Sequence, residues 1–190
     1  MLHRIFIAIN LPEDIKSKLL SFQRKWPSLP CRWTKPENLH ITLLFLGNLD
    51  DNQLHETIKI SEEVAKRHKP FLIKLEKICF GPPKKFPPRM VWVKGELNQE
   101  LANLQKDLED SIFEHPAYRY KEKETRPYSP HITLARIKAW EFRRLEDRPE
   151  IDEPIDLRFE VNSFEIMESH LKREGAEYEI LESIVLIKDK

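Results

Sequence analysis

The sequence contains the tetrapeptide His-Ile-Thr-Leu twice, at residues 40–43 and 131–134. In a β-strand, residues i and i+2 point to the same face, so each copy presents one imidazole beside one hydroxyl group. The Ile and Leu residues then point to the opposite face, as a strand that lies on a hydrophobic core requires. Two such strands facing each other would place two histidines and two hydroxyl donors around one small anion.

This set of groups suits displacement at a phosphodiester. Such a reaction needs a base for the attacking water, an acid for the leaving oxygen and donors for the charged equatorial oxygens. His40 and His131 can fill both proton-transfer roles, because an unperturbed imidazole has a pKa near ~6.5. Thr42 and Thr133 can each donate a hydrogen bond to a non-bridging oxygen. The residues alone leave open which histidine is the acid and which is the base.

One His-x-Thr copy alone would be weak evidence for a catalytic site, since a histidine in a strand usually forms a hydrogen bond with a neighbour and Thr is a common strand residue. Two identical copies at equivalent places in a duplicated unit favour the catalytic interpretation. The motifs hold no Asp or Glu, whereas a zinc site needs three or four ligands, so we expect neither a metal nor another cofactor. Cys31 and Cys79 are far apart and fit no CxxC pattern.

The apolar patterns predict the same order of strand, helix, motif strand, helix and strand in each half of the chain. The first set covers 4–9, 15–26, 40–46, 54–65 and 71–80, the second covers 89–93, 97–112, 131–136, 140–145 and 155–159, and 178–187 looks like a closing strand. Apolar residues of the two fifth strands recur 84 positions apart, as in Phe71 and Ile155. We therefore predict a duplicated β-α-β-α-β unit in one bilobal catalytic domain, 1–190, with lobes at about 1–81 and 89–190 and a Pro-rich connection at 82–88.

Composition is that of a globular protein, with 32 Lys and Arg against 32 Asp and Glu in 190 residues. No net charge therefore drives the whole molecule toward nucleic acid. The segment 66–89 has eight basic residues against one acid, which is typical of a solvated face and could also meet a phosphate backbone. The sequence shows neither a signal peptide nor an apolar run of ~20 residues, so we expect a soluble cytoplasmic protein without a membrane partner.

The two motifs and their flanking segments resemble those of the two-histidine phosphoesterase superfamily. The closer resemblance is to the RNA 2′,3′-cyclic phosphodiesterases, also called the 2′-5′ RNA ligase family. It spans nearly the whole chain, and the four motif positions show no departure from the family pattern. The segments that carry it are 4–12, 33–34, 36–47, 88–93 and 130–136.

The resemblance implies an α+β fold in which two antiparallel sheets face a central cleft and the helices lie outside. It implies hydrolysis of a terminal RNA 2′,3′-cyclic phosphate to a 2′-phosphomonoester, with His40 as proton donor to the leaving 3′ oxygen and His131 as proton acceptor from water. Thr42 and Thr133 would hold the phosphate. The implied partners are RNAs with a 2′,3′-cyclic phosphate or a 2′-5′ linkage, tRNA fragments among them. A monomer is expected, with ATP-independent 2′-5′ ligation as the reverse reaction.

Further substrate contacts are candidates only. Arg136 follows the second motif and could pair with phosphate, but strict alternation puts it on the face opposite the motif side chains. It reaches the site only if the strand ends or bulges there, and a salt bridge in solvent is the alternative. Tyr128, Phe45, Trp33 and Trp92 could stack on a terminal base, and each could equally be a core or interface aromatic. Tyr128 is the best placed of the four, in the loop just before the second motif.

Two alternatives stay open. The substrate could be a small cyclic nucleotide or an ADP-ribose cyclic phosphate, which turnover of an oligonucleotide against a mononucleotide would separate. The cleft could instead hold a nucleotide or an RNA end without turning it over. Catalysis by one acid and one base predicts a bell-shaped pH–rate curve, whereas a binding module gives no rate at all.

Overall fold

The computed structural model describes residues 1–119, 123, 127–172 and 175–187. Short 3-10 helices at Phe22–Lys25, Pro36–Asn38 and Pro116–Tyr118 accompany the main elements. The α+β class predicted from the sequence is confirmed. In chain order the strands and helices are β1 (His3–Asn10), α1 (Glu13–Ser21), β2 (Cys31–Trp33), β3 (His40–Leu49), α2 (Asp51–Ala65), β4 (Phe71–Gly81), β5 (Met90–Gly95), α3 (Gln99–Glu114), β6 (Ile132–Ile137), α4 (Ala139–Arg143), β7 (Asp152–Val161), β8 (Ser163–Lys172) and β9 (Gly175–Val185).

The strands form one curled antiparallel sheet in the order β7-β4-β5-β6-β3-β1-β8-β9, and β2 pairs with β6 off this path. The motif strands β3 and β6 meet at the centre through the pair Ile41 and Ile132. Along the main path, without β2, four strands lie on each side of this junction. The two sheets predicted from the sequence are therefore present as two halves that join at the motifs.

Strand pairing crosses the predicted lobe boundary. β4, which the sequence placed in lobe one, pairs with β5 and β7 of the other half. β8 and β9, placed in lobe two, extend the half that contains β1. The short connection at 82–88 explains the first exchange, because strands joined by a short loop become antiparallel neighbours. The parts of the chain before and after the connection therefore each contribute strands to both halves of the sheet.

The helices cover the face of the sheet opposite the motif histidines. Ile41 and Ile132 belong to one buried core together with apolar residues of α1, α2 and α3. Asn98 caps the N-terminus of α3, and its side chain accepts a hydrogen bond from the Leu101 N–H at 2.7 Å. The core positions of α3 follow helical spacing: Leu101, Leu104, Leu108 and Ile112. Burial of the alternate Ile and Leu residues of each motif directs its His and Thr to the other face.

The segment 66–89 does not form one basic patch. Its residues are spread over the end of α2, β4 and the connection, and several cations pair with acids of the same or a neighbouring element. These ion pairs are Lys66 with Glu63, Arg67 with Asp107, Lys74 with Glu76 and Glu96, and Lys77 with Asp152. The interpretation as a solvated face is the one that the structure favours. Within the described residues, no helix is both long and apolar enough to cross a bilayer.

Candidate active site

Each motif histidine is held by a main-chain carbonyl two residues earlier. Nδ1 of His40 lies 2.8 Å from the Asn38 carbonyl oxygen, and Nδ1 of His131 lies 2.8 Å from the Ser129 carbonyl oxygen. A carbonyl oxygen only accepts, so Nδ1 carries the hydrogen in both rings. Nε2 is therefore the atom that exchanges a proton in each histidine.

The motif threonines lie beside these rings. Oγ1 of Thr42 is 3.1 Å from Nε2 of His40, and the hydroxyl donates because that nitrogen has no hydrogen in the neutral ring. Oγ1 of Thr133 lies 3.9 Å from the sulfur of Met90, a weak contact that leaves the hydroxyl available for a stronger acceptor. Both hydroxyls can therefore turn to the oxygens of a bound anion.

The strand register brings the two motifs together. The central antiparallel pair, Ile41 with Ile132, places the histidine of each motif across from the threonine of the other. All four polar side chains then share the face opposite the core. The sequence prediction that two His-x-Thr strands would surround one small anion has this geometric basis.

Each motif ends in a bulge. Opposite β1 the register omits Leu43, and opposite β5 it omits Leu134. Each bulge reverses the alternation, so Phe45 and Arg136, the next outward residues, lie on the same face as the motif side chains. Arg136 thus meets the condition that the sequence set for it, and its charge contributes to the lowered pKa of His40.

His40 is enclosed by one aromatic ring from β1 and one from β9. Its ring centroid is 5.1 Å from that of Phe6 and 5.3 Å from that of Tyr178, which meets it edge-on. Burial lowers the pKa of His40 to about 4, and the charges of His131 and Arg136 act in the same direction. The hydrogen bond to the main-chain carbonyl opposes this shift. In the free protein His40 is therefore neutral at pH 7.

His131 is stacked on the indole of Trp92, with ring centroids 3.9 Å apart and 25° between the planes. Burial lowers the pKa of His131, the charge of Lys94 adds to this, and the bond to the Ser129 carbonyl opposes it. Gly81 on β4 leaves room for the indole: a Cβ at this position would lie 2.1 Å from a Trp92 ring carbon. The two histidines therefore have similar hydrogen bonds and different aromatic neighbours.

The four aromatic candidates lie in four different places. Phe45 lies on the motif face with its side chain 73% exposed, and Trp92 lies under His131. Trp33 packs against the main core on the other face of β2. The Tyr128 hydroxyl donates to the Thr42 carbonyl oxygen at 3.1 Å, and burial raises the pKa of that hydroxyl. This contact favours a role for Tyr128 in joining the two motif strands.

Sequence reasoning missed the partners of His40. Phe6, Ala8 and Met167 form a small cluster, with Tyr178 packed against it, on the motif face of the sheet. A signal was present in the segment 5–9, which is apolar at every position and not only at alternate ones. A strand with both faces apolar is covered on both sides. Tyr178 gave no such signal, because its place depends on the pairing of β8 with β1.

Among the residues that the structure describes, no three His, Cys, Asp or Glu side chains are grouped so as to hold a metal ion. The chemistry available to these side chains is proton transfer by two imidazoles and hydrogen-bond donation by hydroxyl, guanidinium and ammonium groups. A curled antiparallel sheet that presents two His-x-Thr motifs around its centre defines the class of two-histidine phosphoesterases.

Comparison with known proteins gives the family. The sequence matches the LigT-like phosphoesterase family twice, over residues 9–92 and 93–178. The chain belongs to this family. It is 30% identical over 180 residues to the RNA 2′,3′-cyclic phosphodiesterase of Methanocaldococcus jannaschii, covering 94% of this chain and 98% of that protein. It is 31% identical over 186 residues to the protein of that name from Thermotoga maritima, covering 94% and 92%.

Solved structures agree on the fold. The protein TT0787 of Thermus thermophilus superposes with a TM-score of 0.82 at 29% identity, covering 96% of this chain and 97% of that one. Escherichia coli LigT, solved in complex with 3′-AMP, superposes with a TM-score of 0.80 at 24% identity, covering 99% and 100%. The second similarity concerns the fold alone.

Proposed function

We propose that this protein hydrolyses the 2′,3′-cyclic phosphate at the end of an RNA to a 2′-phosphomonoester, with 1–190 acting as one catalytic unit. The observation that carries this proposal is the paired placement of His40 and His131. Each ring is fixed through Nδ1 to a carbonyl and has its Nε2 on the common motif face. The relatives named RNA 2′,3′-cyclic phosphodiesterase support this substrate class.

In the proposed reaction a water molecule attacks phosphorus opposite the 3′ oxygen. Nε2 of His131 takes a proton from the water as the new P–O bond forms. The bond from phosphorus to the 3′ oxygen breaks, and Nε2 of His40 gives its proton to that oxygen. Thr42 and Thr133 donate hydrogen bonds to the non-bridging oxygens. One water is consumed, and the product carries a 2′-phosphate and a free 3′-hydroxyl.

The aromatic neighbours support this assignment of roles. A base becomes a cation when it takes the proton, and the π face of Trp92 stabilises an imidazolium on His131. His40 is enclosed by Phe6 and Tyr178, and burial disfavours its cation. His40 therefore acts as the acid once the negative charge of the bound phosphate has favoured its imidazolium, and the buried cation then releases its proton readily.

Phe45 and Arg136 supply contacts for the terminal nucleotide in this proposal. Both lie on the motif face, one on each side of the centre, and both are exposed. A base can stack on the Phe45 ring, and the Arg136 guanidinium can donate to phosphate. Attack by the 5′-hydroxyl of a second RNA in place of water would give 2′-5′ ligation through the same groups, without ATP.

The test is product analysis on a short RNA that ends in a 2′,3′-cyclic phosphate, in the presence of EDTA. The full chain should give only the 2′-phosphate product, and His40→Ala and His131→Ala should each lose activity by at least ~100-fold. Binding of the RNA without turnover by the unmodified protein would instead establish a binding module. Equal products at both the 2′ and 3′ positions would contradict in-line loss of the 3′ oxygen.

A second substrate shows which of the two histidines is the general acid. A nucleotide 4-nitrophenyl diester has a leaving group that needs no proton, so the variant that lacks the acid should keep its activity on this ester. We expect His40→Ala to be rescued on the ester and His131→Ala to remain inactive on both substrates. The reverse pattern would exchange the two roles.

A further inference from the structure

Lys94 lies directly beside His131 on the motif face. β5 pairs with β6 through Val93 and Ile132. Since the strands are antiparallel, the next pair in this register is Lys94 with His131. Residues that face each other across two strands share a face, with their Cβ atoms about 5 Å apart. The Lys94 side chain therefore extends from the same face as the imidazole.

The indole of Trp92 holds the Lys94 ammonium near the His131 ring. Nζ of Lys94 lies 5.8 Å from the centroid of the Trp92 ring, and His131 is stacked on the same indole at 3.9 Å. The charge of Lys94 also lowers the pKa of His131. Within the described part of the chain, the ammonium contacts this aromatic ring and forms no ion pair with a carboxylate.

A cation at this position is unfavourable for the free protein. Lys77 faces Lys94 on its other side, so β4, β5 and β6 present a row of three basic side chains. Like charges at opposite positions destabilise a sheet, and Asp152 pairs with the Lys77 end of the row. A base must also gain a positive charge, which a neighbouring ammonium opposes. An anion that binds beside Lys94 during the reaction would offset both effects.

The strand order indicates from which side of the phosphate this anion comes. β3, β6 and β5 are successive strands, so the order across the sheet is His40, His131 and Lys94. In the proposed reaction phosphorus lies between the two histidines, and the leaving 3′ oxygen is on the His40 side. Lys94 thus lies beyond His131, on the side from which the attacking group enters. The nucleoside that carries the cyclic phosphate lies on the other side.

We infer that Lys94 is the phosphate contact of an acceptor site, which binds an RNA with a free 5′-hydroxyl through the phosphodiester on the 3′ side of its first nucleotide. Water brings no charge to this side, whereas an attacking nucleotide brings that phosphodiester one ribose away from its 5′ oxygen. A lysine has a long, flexible stem and three donors, which suit a contact at this distance. The inference rests on the proposed function and adds the class of nucleophile that the site accepts beside water.

In this step the 5′-hydroxyl oxygen attacks phosphorus. A bond from the 5′ oxygen to phosphorus forms, and the bond from phosphorus to the 3′ oxygen breaks. Nε2 of His131 takes the hydroxyl proton, and Nε2 of His40 gives its proton to the 3′ oxygen. The product is a 2′-5′ phosphodiester beside a free 3′-hydroxyl. No further reactant is needed, because the cyclic phosphate is itself the activated group.

The experiment compares two acceptors that differ by one charge. The donor is adenosine 2′,3′-cyclic phosphate, and the acceptors are the dinucleotide ApA with a free 5′-hydroxyl and the same dinucleotide with an uncharged methylphosphonate linkage. The measurement is the ratio of 2′-5′ joined product to 2′-phosphate product, in which any effect common to both nucleophiles cancels. For the unmodified protein this ratio should be about tenfold higher with the charged acceptor, as expected for one charge-assisted hydrogen bond.

Variants of Lys94 assign this difference to its ammonium. Lys94→Gln should lower the ratio with the charged acceptor about tenfold and leave the ratio with the methylphosphonate unchanged, because the contact is already absent there. Lys94→Arg keeps the charge and should retain most of the preference. Lys106→Gln, at an exposed lysine of α3 on the helical side of the sheet, is the matched control. Thermal unfolding by circular dichroism verifies that each variant is folded.

The other outcomes contradict different statements. An equal fall of the ratio with both acceptors would show that Lys94 acts on His131 and not on a phosphate. If the unmodified protein hydrolysed the donor but joined neither acceptor, or joined both equally well, the acceptor site would be refuted and the proposed function would stand. If it did not turn over the cyclic phosphate at all, the proposed function itself would fail.

Discussion

Trp92 lies against the His131 ring at van der Waals distance and is itself only 6% exposed. The indole thus forms a fixed wall of the site. It is placed by β4, where Gly81 offers no side chain to compete for the space. Since an aromatic face attracts a cation, this stack stabilises the protonated form of His131 against the opposite effects of burial and of Lys94.

Replacement of Trp92 should therefore lower the proton affinity of His131. We expect Trp92→Leu to reduce kcat/KM on the cyclic phosphate about tenfold, which corresponds to ~1.4 kcal/mol, while Trp92→Phe keeps most of the activity. The pKa of His131, followed by NMR of its imidazole, should fall further in the Leu variant. Trp140→Leu, at an exposed tryptophan on α4, is the control. An unchanged His131 pKa would show that the indole only packs against the ring and does not stabilise its protonated form.

The lowered pKa of both histidines predicts an acidic pH profile. Each shift favours the neutral ring. The fraction of free protein with one protonated histidine therefore begins to fall at a lower pH than it would with ordinary histidine pKa values. We expect kcat/KM to have its optimum between about 4 and ~6.5, and to fall at higher pH.

Bound phosphate acts in the opposite direction, because its negative charge favours both imidazolium ions. The alkaline limb of kcat should thus lie at higher pH than that of kcat/KM, since kcat reports the complex and kcat/KM the free protein. Initial rates from pH 4 to pH 9 on the mononucleotide check both statements. Coincident alkaline limbs would show that the phosphate does not contact the two rings.

The threonines should contribute as hydrogen-bond donors. Thr42→Val and Thr133→Val keep the shape and remove the hydroxyl, and each should lower kcat by about 10²-fold with a smaller change in KM. Thr→Ser at either position restores the donor and should recover most of the rate. A loss confined to KM would mean that the hydroxyl binds the ground state and the transition state equally.

The motif face was predictable from the sequence because it depends on local alternation. Ile41 and Ile132 are apolar in the correct phase, and burial of these residues alone directs the motif side chains outward. The bulges had a signal too. At the end of each motif two buried apolar residues stand in succession, where strict alternation would put one outward: Leu43 with Leu44, and Leu134 with Ala135.

Which strands pair with each other in the sheet was not predictable from the sequence in the same way. The 84-residue spacing relates β4 to β7, yet these two strands pair with each other and stand at different places in the sheet. In one half of the sheet β4 pairs with β5, and in the other half β8 takes the corresponding place beside β1. The apolar pattern predicted no strand at the position of β8. Periodicity describes the faces of a strand and says nothing of its neighbours, so Phe6 and Tyr178 could not be placed beside His40.

Variants of Tyr128 can distinguish two roles of this residue, which are to join the two motif strands and to stack on a terminal base. Its hydroxyl joins the loop before the second motif to the Thr42 carbonyl of the first. Tyr128→Phe removes this bond and leaves a half-buried carbonyl without its donor, which should cost about 1 kcal/mol and lower the melting temperature by roughly 2–4 °C.

The ring itself is tested by Tyr128→Leu. If the side chain only braces the two motif strands, the Phe and Leu variants should both show a similar KM for RNA, with loss of stability as the main effect. If a terminal base stacks on the ring, Tyr128→Phe should keep the KM of the unmodified protein and Tyr128→Leu should raise it, since stacking on an aromatic ring contributes about 1–3 kcal/mol per base. Because the hydroxyl is bonded to the main chain and the ring packs on the core, we expect the first result. The measurement is a melting curve and a KM for each variant on the same RNA.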